Sequence, residues 1–298
     1  MTESLAARTA ADSRVTGGVP WLSSAFRRYP AAVVGGVLVG IFLAIGIFGP
    51  SVVPYQPDAA DLANVLSGPS AQHLFGTDEL GRDLFSRVLA GARISIFIGC
   101  TAEVIAMGSG IPLGALAAYY TGWISDVILG VANVLLTFPT IILAITIISV
   151  IGLGISGVII AAGIAMAPGV VRLTYGTVLS VKFEDYVLAS RALGSSDGAI
   201  IARHLLPNSL SPLIVQATLG IGGTVLTAAG LGFLGLGVQP PDPEWGTMLS
   251  EASNYIMVAP YMAVFPGLAI AVLVLGFNLL GDGLSDAFDP RQRNRFHQ

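Results

Sequence analysis

Charge is scarce along these 298 residues, and cysteine, histidine and lysine are scarcer still. Asp, Glu, Lys and Arg together make up 11% of the chain, where a soluble domain carries roughly a quarter. Set against 54% hydrophobic residues and a mean hydropathy of +0.78, that shortage excludes a water-compatible surface over the whole molecule. The single cysteine, Cys100, rules out an intrachain disulfide framework and a cysteine-based metal site. The three histidines, His73, His204 and His297, are too scattered to form a metal cluster by local spacing, and they suggest no hydrolytic triad. The only lysine, Lys182, follows Val181, so the chain has no Gly-x4-Gly-Lys-Ser/Thr loop to cradle a nucleotide's phosphates. A net charge of −4 without a basic face argues against nucleic acid as a partner.

The chain does contain long apolar blocks, at about 31–49, 94–118, 127–150, 157–178, 212–237 and 262–280. In lipid, each can satisfy its own backbone polar groups only as a helix. The expectation is an all-α integral membrane protein of about six transmembrane helices. All the basic residues except Arg82, Arg87 and Arg93 fall in the N-terminal tail, around the fourth-to-fifth connection or at the C-terminus. That bias predicts both termini on the cytoplasmic side. Residues 1–29 are expected to be a flexible cytoplasmic tail, 30–291 the membrane domain and 292–298 a second tail. The block from Ala31 to Phe48 reads as an uncleaved first span, since Gly49-Pro50 offers no small-x-small cleavage site.

Two external segments are expected. In 50–93, Pro50, Pro54 and Pro57 are expected to interrupt helix, and Thr77–Gly91 has the pattern of an interfacial amphipathic helix. Thr77 or Asp78 would cap that helix, and Asp83 would pair with Arg87 at i,i+4. In 238–261, Pro240-Pro241-Asp-Pro243 reads as a rigid turn, with Trp245 and Tyr255 at headgroup level. Gly36 with Gly40, Gly110 with Gly114, and Gly230-Leu-Gly232-Phe-Leu-Gly235 read as helix-packing notches. The last has dinucleotide-motif spacing, but it lies inside an apolar span.

The connection over 182–208 is too long for a turn. Its pattern predicts a helix to about Leu193, a break at Gly194, an N-cap at Ser195 or Ser196 with Asp197 in the first turn, and a second helix stopped at Pro207. Two short helices joined by glycine make a protruding elbow. Small and apolar residues, Ala189, Ala192, Leu193 and Gly194, stand at its apex.

This stretch resembles the cytoplasmic loop of binding-protein-dependent ABC importer permeases, whose pattern is Glu-Ala-Ala, three residues, Gly, nine residues, Ile-x-Leu-Pro. Here the matching positions are Leu188-Ala189-Ser190, Gly194 and His204-Leu205-Leu206-Pro207. The spacing is kept throughout, with Leu188, Ser190 and His204 as departures. Four further stretches resemble the second permease subunit of the dipeptide/oligopeptide/nickel class. These are Phe75-Gly-Thr-Asp-Glu-Leu-Gly-Arg-Asp83, Gly230–Pro241, Glu244-Trp245-Gly246, and Asn278–Gly283 with Asp289-Pro-Arg291.

The resemblance implies a type I ABC importer permease fold in a bacterial inner membrane. It implies a related permease as neighbour, two ATPase subunits holding ATP and Mg, and an extracytoplasmic substrate-binding protein. This chain would bind no cofactor and catalyse nothing. On that reading the elbow sits in a cleft of the ATPase, with Gly194 as hinge, Ala189 and Ala192 as the close-contact face, and Arg191 and Asp197 as flanking polar contacts. Leu188, Ser190, Leu193 and Pro207 complete the set. Candidates for the translocation path are Glu103, Asn133, Gln216 and Asn278. Glu103, an acid inside the second span, either faces that path or packs against a neighbouring helix. The cargo stays open among peptides, nickel chelates and other small solutes. An ion-coupled secondary transporter is the competing class, but it would need buried acidic or histidine relays and inverted repeats.

Overall fold

The computed structural model describes residues 30–288. The two expected tails, with Asp289–Arg291, lie outside them. The described residues are nearly all helical, with one isolated bridge between Thr77 and Asp83 and no strand. The main helices are α1 (Pro30–Val52), α2 (Leu84–Tyr119), α3 (Trp123–Leu136), α4 (Thr140–Ile151), α5 (Ile155–Val181), α6 (Asp185–Ala192), α7 (Asp197–Ile200), α8 (Leu210–Phe233), α9 (Trp245–Ser253) and α10 (Tyr261–Phe288). Five of them, α1, α2, α5, α8 and α10, are long and apolar enough to cross a membrane. Counting the pair α3 and α4 as one broken span gives six.

The third span, expected as one helix over about 127–150, is instead two helices, α3 and α4, bent by 101°. Pro139 is the cause: it lacks an N–H, and its ring disfavours helical geometry at Phe138. Thr137 closes α3 by donating its hydroxyl to the Val134 carbonyl at 2.6 Å. Proline does not always end a helix here. Pro50 lies within the last turn of α1, and Pro112 and Pro168 lie inside α2 and α5.

The expected interfacial helix over 77–91 is not a separate element. The helix starts only at Leu84, capped by Asp83 rather than by Thr77 or Asp78, and runs unbroken for 36 residues. At 1.5 Å per residue α2 is about 54 Å long, well beyond the roughly 30 Å hydrocarbon layer. It therefore reaches from one end of the bundle to the other.

α2 packs along α5. A Cβ on Gly110 would lie 2.6 Å from the Val170 Cβ, and one on Gly114 2.5 Å from the Val171 carbonyl oxygen. Those two glycines are true notches. Gly36 and Gly40 are not: a Cβ on Gly40 would meet nothing within 4 Å. α1 is seated on α10 through Gly35 and Gly283 instead, where a Cβ would come 2.4 Å from the Leu280 nitrogen and 2.2 Å from the Ala32 Cβ.

Alternation of the long helices puts residues 53–83, the 234–244 loop and α9 at one end of the bundle. The 182–209 connection lies at the other end, near the C-terminal end of α2. Each end has its own apolar cluster. One gathers around Trp245 with Leu84, Val88, Ala92 and Met248. The other joins Ala115, Ala118 and Tyr119 to Val178, Val187, Ile200 and Leu205.

Candidate functional site

At the elbow end, α6 closes on Leu193, and Gly194 turns the chain with φ +83. Its N–H donates to the Arg191 carbonyl at 3.0 Å, and the Ser195 N–H donates to the Ser190 carbonyl at 3.2 Å. Those two bonds absorb helix-end carbonyls, and they require the left-handed conformation that glycine adopts without strain. A Cβ there would meet nothing within 4 Å. Glycine is therefore required by the turn itself and not by crowding inside this chain.

Ser196 caps α7 by accepting from the Ala199 N–H. The letters Gly194–Gly198 spell Gly-x-Ser-x-Gly, but no strand precedes them, and the Ser196 oxygen serves as that cap. Pro207 does not stop the second arm. α7 widens into a π turn, Ile201–Leu205, and continues through Leu206–Asn208 to a break at Ser209. The Leu206 N–H reaches five residues back to the Ile201 carbonyl. Widening the turn before Pro207 gives its ring the room that a regular helix would deny it.

The apex is open. Leu193 is 87% exposed, and Leu188, Ala189, Arg191, Ala192 and Gly194 are exposed beside it. Ser190 is half-buried and holds the two arms together: its hydroxyl donates to Ser195 Oγ at 2.9 Å and shares a 3.1 Å hydrogen bond with His204 Nε2. Two of the three departures from the permease pattern, Ser190 and His204, thus contact one another. Tyr186 packs edge-on to the same imidazole.

Asp197 and Arg191, expected to flank a partner contact, turn back toward α2. The Tyr119 hydroxyl donates to Asp197 Oδ1 at 2.5 Å and the Tyr120 hydroxyl to Oδ2 at 3.2 Å. The Arg191 guanidinium lies 5.2 Å from the centre of the Tyr119 ring. Lys182, 6% exposed, donates to the carbonyls of Ala118 and Tyr119 at 3.0 and 2.9 Å. Burial, with Arg191 nearby, pushes its ammonium below the usual lysine range. Burial also pushes the Tyr120 phenol up, helped by the bond to Asp197.

The path candidates do not converge. Glu103 is 3% exposed, and neither carboxyl oxygen has a hydrogen-bond partner among the described residues. It faces α8 at Gly220, where a Cβ would sit 2.1 Å from Oε1. Asn133 accepts from Arg172 at 3.2 Å between α3 and α5. Gln216 is half-buried on α8. Asn278, exposed on α10, lies near Gly222, two residues from Gly220 and so on a different side of α8.

At the other end the structure assembles a charged cluster that local spacing did not suggest. Asp78 Oδ2 accepts from Arg82 Nε at 2.6 Å and pairs with Arg87 Nε at 3.4 Å. Glu251 of α9 pairs with Arg82 at 3.4 Å and with Arg87 at 3.5 Å. Glu79 pairs with Arg82 at 2.9 Å. The expected Asp83–Arg87 pair is absent: Asp83 instead caps Ser86 and holds His73 Nδ1 at 2.9 Å. Burial pushes the Glu251 carboxyl up, with Arg87 opposing it. Trp245, expected at headgroup level, is fully buried and donates to the Val88 carbonyl at 3.0 Å. Glu244 caps α9 and accepts from Ser95 Oγ at 3.2 Å.

Residues 110–294 match the family described as binding-protein-dependent transport system inner membrane component. Residues 21–69 match the N-terminal TM domain of oligopeptide transport permease C. The dipeptide transport system permease protein of Alkalihalophilus pseudofirmus is 42% identical over 285 residues, covering 95% of this chain and 94% of its own length. The glutathione transport system permease protein of Escherichia coli O6:K15:H31 is 46% identical over 267 residues, covering 89% and 88%. Among solved structures, the inward facing conformation of the MetNI methionine ABC transporter aligns with a TM-score of 0.57 at 20% identity. It covers 67% of this chain and 95% of that one. That likeness gives the fold, a type I importer permease, as the sequence resemblance implied.

Proposed function

This chain belongs to the family of binding-protein-dependent transport system inner membrane components, and on that premise we propose that it forms half of the translocation path of an ATP-driven peptide importer. Its neighbour across the path is a related permease, and an extracytoplasmic protein delivers dipeptides or oligopeptides to the end of the bundle opposite the elbow, the latch end, where Arg82 and Arg87 tie residues 53–83 to Glu251 of α9. Two separate ATPase subunits, holding ATP and Mg, dock on the elbow end. Both termini then lie in the cytoplasm, in keeping with the basic residues around 172–203. Peptide cargo is supported by the names of the dipeptide and glutathione permeases to which the chain is similar.

One observation carries the coupling role. The apex presents Leu193, Leu188, Ala189 and Ala192 to solvent on a glycine turn that needs no space inside this chain. An exposed apolar knob at the tip of a braced helix pair fits a cleft in a soluble partner. Ser190 and Pro207 belong to the bracing and Leu188 to the contact surface. Closure of the ATPase pair would move the elbow and switch the permease pair between inward- and outward-open states. Glu103 belongs, on this reading, to the α2–α8 seam.

The test is the purified importer with Gly194→Trp. Loss of substrate-stimulated ATP hydrolysis and of dipeptide uptake, with the permease pair still intact, is expected. Uptake by the wild-type permeases with no ATPase attached would overturn the reading.

A further inference from the structure

We propose that Tyr119, Tyr120, Asp197 and Lys182 form the joint through which the elbow drives α2, and that α2 carries the movement to the latch end. These four are positioning residues for transport. The inference rests on the elbow being the ATPase contact, and it identifies what that contact moves.

The elbow is covalently continuous with α5 and, past Ser209, with α8. It has no such continuity with α2, whose chain leads through 120–122 into α3. The connection between elbow and α2 is made instead by side chains. Asp197, in the first turn of α7, uses both carboxylate oxygens on Tyr119, the last residue of α2, and Tyr120, its C-cap. A carboxylate accepting two hydroxyls is in a charge-assisted, geometrically fixed arrangement. Lys182 approaches from the end of α5 and binds the carbonyls of Ala118 and Tyr119, which lie in the last turn and lack helical partners. A cation at a helix C-terminus also complements the helix dipole. The Arg191 guanidinium on the Tyr119 ring adds a contact from α6. Both arms of the elbow and the end of α5 therefore meet on one residue pair, Tyr119-Tyr120.

α2 is the element suited to carry a displacement. It is unbroken for 36 residues, about 54 Å by its rise. Its far end is fixed as firmly as its near end. Arg87 is paired with Asp78 and Glu251, Ser95 Oγ bonds Glu244, and the Val88 carbonyl accepts from Trp245. A contiguous chain of packed and hydrogen-bonded groups between two sites is the physical requirement for coupling them. Here it runs from the elbow apex through Asp197, Tyr119 and the body of α2 to Arg87 and α9.

The test uses the complete importer, two permeases with their ATPase subunits, in lipid nanodiscs. Hydrogen–deuterium exchange is compared between the nucleotide-free state and the state trapped with ATP and vanadate. In the wild type, trapping should change exchange both at the elbow (185–208) and at the latch end (53–83 and 245–253). The double variant Tyr119→Phe/Tyr120→Phe removes both phenol O–H groups and keeps the rings. In it the elbow response should remain and the latch-end response should be lost, with the complex still assembled and ATPase co-purification unchanged. Lys182→Met should give the same split, and it answers should the double variant fail to assemble. A latch-end response that persists at wild-type size in either assembled variant overturns the joint, as does its absence from the wild type while the elbow responds. An elbow that does not respond in the wild type defeats the ATPase-contact reading itself, a separate and recognisable result.

Discussion

The two ends of the bundle are built on opposite principles. At the latch end, Arg82 and Arg87 are 4% and 1% exposed, and they sit among the carboxylates of Asp78, Glu79 and Glu251, which tie residues 53–83 to α9. At the elbow end the charged and polar contacts lie behind the apex, and the apex itself is left bare. A buried ion cluster tolerates little change, because removing one member strands the others. An exposed apolar knob costs little to change within this chain, so a change there should act through what it touches outside. On the proposed reading, the difference separates the part that holds shape from the part that meets a partner.

The sharpest way to break this comparison is Arg87→Met. It leaves Glu251 and Asp78 short of a counter-charge and should cost about 3–5 kcal/mol, seen as a lower unfolding temperature and poor recovery of the complex. Next is Gly81→Ala, where φ is +74 and a Cβ would lie 1.8 Å from the Asp61 carbonyl oxygen. About 1–3 kcal/mol of strain is expected, again read by thermal unfolding. At the elbow, Ser190→Ala or His204→Ile should cost only about 0.5–1.5 kcal/mol. The double variant should cost less than the sum of the two, because the second change removes the partner stranded by the first. Smallest is Leu193→Ser, within about 0.5 kcal/mol of wild type in stability, yet it should lower ATPase co-purification. A Leu193 variant that destabilised the permease as much as Arg87→Met would erase the distinction between the two ends.

Much of this was legible in the sequence, and what was not has common causes. Apolar blocks located five long helices, because lipid allows no other use for such runs. Glycine at 194 and a capping serine at 195 or 196, the latter in the structure, marked the elbow turn, because both act through local backbone geometry. Arg82 and Arg87 meet Glu251 more than 160 residues away, and no local spacing reports such a pair. Trp245 looked like a headgroup anchor because amphipathic rings serve both there and in a core that offers a carbonyl to the indole. The fracture at Pro139 stood in plain sight, but a proline in an apolar run kinks a helix at one place and is absorbed at another, as Pro112 and Pro168 show. Asp197 was placed correctly on its turn, but its bonds to Tyr119 and Tyr120, more than 75 residues upstream, are ones that no local spacing reports.

Site-specific photocrosslinking in the assembled importer decides whether the ATPase docks at the elbow and not at the latch end. A photoreactive residue is placed at position 193 or at position 257, since Leu193 and Met257 are 87% and 92% exposed at opposite ends. Position 193 should capture an ATP-binding subunit and position 257 none. Capture of that subunit from position 257, or its absence from position 193 in a complex that hydrolyses ATP, would contradict it.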